Sequence, residues 1–198
     1  MKHLLGFLVL LLSLGTVSAQ NDTLSGDYRT ALSLHPFPII GSTMKVSADL
    51  RLSSRGTGRI TLAYGASEEP GYYDFNNMDE FRAEFQYRYF FNKAQQTMDG
   101  FYAGPYAYFK TVSFTITEGT PQVASPDRIG EDAGANAGMG GLLIGWQRVF
   151  PSNLMIDGYF GTGLMRSGGD DALHEASFNA YSTGIQVYLG GSIGLVIE

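Results

Sequence analysis

Residues 80–91 read Glu80-Phe81-Arg82-Ala83-Glu84-Phe85-Gln86-Tyr87-Arg88-Tyr89-Phe90-Phe91. Taken alternately, one side is Phe81, Ala83, Phe85, Tyr87, Tyr89 and Phe91, and the other is Glu80, Arg82, Glu84, Gln86 and Arg88. A period of two belongs to an extended strand, whose successive side chains point to opposite faces. The segment is therefore a strand with one face in an apolar medium and the other in a polar one.

The same alternation recurs on both sides of it. Met44, Val46, Ala48, Leu50 and Leu52 alternate with Lys45, Ser47, Asp49 and Arg51, and Leu154, Ile156, Phe160, Thr162 and Leu164 alternate with Asp157, Tyr159, Gly161 and Gly163. From Ile185 to Ile197 every second residue is apolar or Gly, set against Gln186, Tyr188, Gly190, Ser192 and Gly194. Eight such segments are predicted, at roughly 28–35, 43–52, 57–66, 79–91, 100–114, 137–150, 154–166 and 181–197. An even number suits a closed antiparallel barrel with both chain ends on one side. Connections 53–56, 92–99 and 151–153 are short, whereas 36–42, 67–78, 115–136 and 167–180 include every long one. Short inner turns alternating with longer outer loops mark outer-membrane barrels. The expected fold is all-β, an eight-stranded antiparallel up-and-down transmembrane β-barrel.

Composition narrows the chemistry. The 198 residues hold 13 Lys and Arg against 19 Asp and Glu, a net charge of −6, and no Cys. Disulfides, thiolate metal sites, a Cys nucleophile and an acylated Cys anchor are thereby excluded. An acidic chain without a basic cluster is not expected to bind nucleic acid, whose affinity rests on Lys and Arg neutralising phosphates. At the start, Lys2 and His3 precede an apolar run from Leu4 to Leu14, with Val17 and Ala19 at the −3 and −1 positions of a cut after Ala19. Those about 11 residues fall short of the roughly 20 that a spanning helix needs. Residues 1–19 are expected to be a cleaved signal peptide, and 20–198 one barrel domain; loss of Lys2 takes the net charge from −6 to −7.

A soluble periplasmic ligand-binding barrel would bury the apolar phase and wet the charged one. Two features favour the membrane. The segments run about 8 to 17 residues where soluble strands usually have five or six, and a bilayer asks for about 9 to 11 tilted residues. Aromatic residues also gather near the strand ends, with Phe90, Phe91, Phe101, Trp146 and Phe150 on the inner side and Phe81, Phe109, Phe114 and Tyr181 on the outer. Such belts match the two membrane interfaces. The segments Gly100-Phe101-Tyr102-Ala103-Gly104-Pro105-Tyr106 and Gly145-Trp146-Gln147 resemble those of uncharacterised barrel proteins of Bacteroidota, within the small eight-stranded outer-membrane β-barrel superfamily. That resemblance implies an outer-membrane location and supports the fold more than any activity.

With the apolar phase facing lipid, the polar phase lines the lumen. It collects Lys45, Asp49, Arg51, Arg59, Glu80, Arg82, Glu84, Arg88, Lys110 and Asp157, expected to interlock as ion pairs and hydrogen bonds with Gln86 and Gln147. Eight strands enclose only enough room for side chains, and Tyr102, Tyr106, Tyr108, Tyr159 and Tyr188 would fill much of it, with inward Gly making space. A plugged lumen is expected; a narrow passive pore is the alternative. Catalysis is not expected. An outer-membrane hydrolase would have to pair His35 or His174 with Ser33, Ser42 or Ser177, and no spacing singles out a nucleophile or orienting carboxylate. No cofactor or metal is assigned, although Asp170, Asp171, His174 and Glu175 form an acidic group that could suit a divalent cation. With Tyr72, Tyr73 and Phe75 they make up an outer-loop surface. A structural or interaction role in the envelope follows, with outer-membrane lipid and lipopolysaccharide as surroundings and another envelope protein as a candidate partner.

Overall fold

The computed structural model describes residues 29–36, 43–67, 76–91, 98–115, 130–169 and 184–197. They form eight strands: β1 (Thr30–Leu34), β2 (Thr43–Arg51), β3 (Gly56–Ser67), β4 (Asn76–Phe90), β5 (Gly100–Thr115), β6 (Asp132–Val149), β7 (Leu154–Gly169) and β8 (Gly184–Ile197). Each pairs antiparallel with the next, and β8 returns to β1, so the sheet closes into a barrel in chain order.

One end of the barrel, the turn end, carries the β2–β3, β4–β5 and β6–β7 connections. Local chemistry sets two of them. The Leu52 and Ser53 amides both donate to the Gly56 carbonyl, at 2.9 and 3.0 Å, and close the first. In the β6–β7 turn, Asn153 takes a left-handed backbone with φ of 61°, a conformation Asn accepts more readily than most residues. Its amide donates to the Phe150 carbonyl at 2.9 Å, and its own carbonyl accepts from Val196 of β8 at 2.9 Å. The opposite, loop end carries the other four connections. Those connections are largely outside the described residues, as are the signal segment 1–19 and the loop-surface residues Tyr72, Tyr73, Phe75, Asp170, Asp171, His174 and Glu175.

Strand boundaries differ most in β6, which begins at Asp132 instead of 137 and shortens the β5–β6 connection to 116–131. Its first turns alternate inward Ala133, Ala135 and Ala137 with outward Gly134 and Asn136, a contrast too weak to register as hydropathy. Pairing with β5, where Ala135 stands opposite Val112 and Ala137 opposite Lys110, extends the strand regardless. β1 is shorter than expected. Because it ends at Leu34, among the described residues β8 from Gly184 to Ser192 pairs with β7 alone.

The two phases separate by face. Leu32, Leu50, Leu62, Phe85, Ile144 and Leu189 are among the large apolar side chains exposed on the outer wall, while Asp49, Arg59, Glu84, Arg88 and Asp157 are buried inside. Charged strand residues on the outer wall are Asp79, Asp132, Arg148 and Arg166, all near strand ends. Phe90 corrects the expected aromatic belt: it points inward and is buried against Tyr102, with ring centroids 5.2 Å apart. With Met98, Val149, Met155 and Val196 it closes the lumen at the turn end. Inward tyrosines need room opposite them. A Cβ at Gly145 would collide with the Tyr102 ring, and one at Gly190 with the Tyr159 ring, so glycine is required at both.

Candidate functional site

The lumen holds three layers above the apolar plug. The first is a charge knot. Arg59 of β3 donates from Nε and Nη2 to both carboxylate oxygens of Asp49, at 2.7 and 2.6 Å, and from Nη1 to Asp157 of β7 at 2.7 Å. Arg88 of β4 reaches the same Asp157 oxygen at 3.2 Å, and gives its other donors to Gln86 at 2.7 Å and Gln147 at 3.1 Å. The Tyr102 hydroxyl donates to the remaining Asp157 oxygen at 2.7 Å, and Gln147 donates to the Met98 carbonyl at 2.8 Å. Two guanidiniums against two carboxylates leave the knot neutral. Planar forks matched to carboxylates and satisfied on every side are the arrangement in which burying charge is least costly.

Above it lies a layer of tyrosines around Lys45. The ammonium is 3.2 Å from Glu84 and within 3.3 Å of the Tyr159 and Tyr188 hydroxyls. Tyr106 stacks on Tyr188 with centroids 4.9 Å apart. Gln86 donates to the second oxygen of Glu84. His35, buried just past β1, meets Ser47 with Nε2 and Oγ 2.5 Å apart, and Ser47 lies 2.8 Å from the Thr61 hydroxyl. Of the serines the sequence had offered as histidine partners, Ser33 makes no side-chain hydrogen bond among the described residues, and Ser42 and Ser177, like His174, lie outside them; the hydroxyl that His35 meets is that of Ser47, on the inward phase of β2. Among the described residues no carboxylate orients His35.

The third layer borders a cavity of about 330 Å³ in the loop-end half of the lumen, lined by His35, Thr43, Lys45, Glu80, Arg82 and Tyr108 together with backbone and side chains of β8 from Val187 to Gly191. Glu80 pairs with Lys110 at 2.9 Å. Arg82 is different: among the described residues its closest carboxylate oxygen, on Glu84, is 3.9 Å away, and its guanidinium lies 4.0 Å over the Tyr108 ring.

Eleven of the twelve residues expected in the lumen network thus stand in these layers: Lys45, Asp49, Arg59, Glu80, Arg82, Glu84, Gln86, Arg88, Lys110, Gln147 and Asp157. Arg51 sits at the turn-end rim, half-buried, with Nε 3.4 Å from the Ser53 carbonyl. The sequence reading put Ser47 and Ser192 on the polar phase without assigning them to the network and did not name Thr61; all three hydroxyls join it, and their inward phase was the available signal. No protein-family model matches this chain, and no curated protein does.

Proposed function

We propose that the protein is an integral outer-membrane barrel with a filled lumen, exported by a cleaved signal peptide, that acts without catalysis as a structural or contact protein of the cell envelope. It would belong with the small eight-stranded outer-membrane barrels. One observation carries the reading: the barrel is inverted relative to a soluble one. Its outer wall is free of charge from Phe81 to Tyr89 on β4 and from Leu154 to Leu164 on β7, spans close to the roughly 9 to 11 tilted residues of a bilayer-crossing strand. In water so continuous an apolar surface would drive association. Tyr87, Tyr89, Phe91, Phe101 and Trp146 ring the turn end of that wall, and Tyr64, Phe81 and Phe109 the loop end, positions suited to the two interfaces.

The closed charge knot and the apolar plug below it support a filled core over a conducting one. A rigid barrel of this kind leaves its loops as the surface for contact with lipopolysaccharide or another envelope protein. Trp146 is the single tryptophan and is exposed on the wall, which makes it a direct probe. In vesicles with brominated acyl chains its fluorescence should be quenched. An unquenched Trp146 in a protein that stays monomeric without detergent overturns the membrane reading.

A further inference from the structure

The cavity sits in the loop-end half, away from the neutral knot, and the described residues around it do not balance in charge. Among them Lys45, Arg82 and Lys110 contribute three positive charges, and Glu80 and Glu84 two negative ones. The excess is built into the strand register. Lys45 on β2 stands opposite Ala63 on β3, Ala63 opposite Arg82 on β4, Arg82 opposite Lys110 on β5, and Lys110 opposite Ala137 on β6. One inward row therefore carries only cations and small residues. Arg82 and Lys110 face each other directly across a strand pair, where like charges are destabilising. The alanines leave room beside them.

Within this row Arg82 is under-used. Its Nε is buried and has no hydrogen-bond partner among the described residues, Glu84 is engaged by Lys45 and Gln86, and Glu80 by Lys110. A buried guanidinium N–H left open costs free energy that a ligand acceptor would recover. A positive excess among the described residues, an open fork donor and an adjoining cavity ask for one negative charge carried on oxygens.

We propose that this cavity binds a single phosphate group, as the free monoanion or as a phosphodiester, held by Arg82 with Lys45 and Lys110 beside it. Arg82 recognises the oxygens through its fork, and the Tyr108 ring under the guanidinium fixes its plane. Two sources fit the chemistry. A soluble anion would come through the loop end. A lipid headgroup would come past the end of β1, where the cavity reaches β8 residues that, among the described residues, pair with β7 alone. The site lies inside the barrel and stands whether or not the outer wall faces lipid.

The test uses the ¹⁵N-labelled barrel in a neutral detergent, following the Arg82 Nε–H resonance, assigned by its loss in Arg82→Met. Inorganic phosphate and dihexanoyl phosphatidylglycerol are titrated separately at constant ionic strength. A saturable shift with a dissociation constant in the millimolar range or tighter is expected for at least one of them. Saturation by free phosphate identifies a soluble source, and saturation by the lipid alone a headgroup. Calorimetry should show that binding is lost in Arg82→Met, which relieves a like-charge contact and should retain the folded, heat-resistant migration of the barrel. Glu80→Gln removes a negative charge beside the cavity and should tighten binding several-fold, an independent measure if Arg82→Met misfolds. The proposal fails if neither probe saturates, if sodium chloride alone reproduces the shift, if Arg82→Met binds like the wild type, or if Glu80→Gln leaves affinity unchanged or weaker.

Discussion

Arg59→Met removes the cation that both carboxylates of the charge knot contact. Arg59 makes three hydrogen bonds of 2.6–2.7 Å, two to Asp49 and one to Asp157. Without it, Arg88 remains as the cation for both carboxylates, 3.2 Å from Asp157 but 3.7 Å from Asp49. One of two buried negative charges then has no counter-charge in contact. Breaking a buried pair in this way costs about 3 to 5 kcal/mol. At about 1.4 kcal/mol per factor of ten, the folding equilibrium should fall between a hundredfold and several thousandfold. The double change Arg59→Met with Asp49→Leu removes charge and counter-charge together, leaves the Arg88–Asp157 pair, and should recover most of the loss. Urea unfolding in phospholipid vesicles, followed by Trp146 emission, measures both. A single variant within about 1 kcal/mol of wild type, or a double variant less stable than the single, refutes the view of a tightly interlocked knot.

Three further outcomes are expected. On the outer wall Ala83→Leu should be tolerated, whereas Phe85→Arg should cost about 2 to 4 kcal/mol and impair insertion, as charge on a lipid-facing strand does near the bilayer midplane; the same vesicle assay reads both, and a marked loss for Ala83→Leu contradicts the orientation of β4. Because the chain has no Cys, a cysteine placed at Glu131 or at Ser152 is unique; an impermeant maleimide should label the first in intact cells and the second only once the outer membrane is opened. In planar bilayers the wild type should give no steady single-channel steps, and steps whose selectivity changes in Arg88→Met would move the function to a pore.

Period-two alternation carried most of the fold. It gave the eight strands and put Lys45, Asp49, Arg59 and Glu84 on the inner face, because each of those residues stands beside an outward apolar neighbour in sequence. It could not say which charge meets which. Arg59 finds Asp157 from 98 positions away and Arg88 finds it from 69, partnerships that exist only after the sheet has closed and its stagger is fixed. Phe90 was misplaced because it lies in the aromatic run Tyr89-Phe90-Phe91, where alternation has no contrast; counting parity from Arg88 turns it inward. Arg82 looked equivalent to Arg88 for the same reason of phase. What distinguishes them is the neighbouring strand, which sets Lys110 opposite Arg82.

The shortness of β1 has a kinetic side. Five register positions join it to β2 and five to β8, with Thr30 meeting Ile197 at the far end of the described chain. Every other strand pair forms between neighbours in sequence and needs only a local loop to close. The β1–β8 seam alone must gather nearly the whole chain first, and its reward in new backbone bonds is no larger than that of β1–β2, which needs only a local loop. Folding should therefore run through an open sheet that already holds β2 to β8, with seam closure as the slow, last event. Residues Ala31 and Ser33 on one side and Val196 on the other would then change the unfolding rate far more than the folding rate of the remaining hairpins.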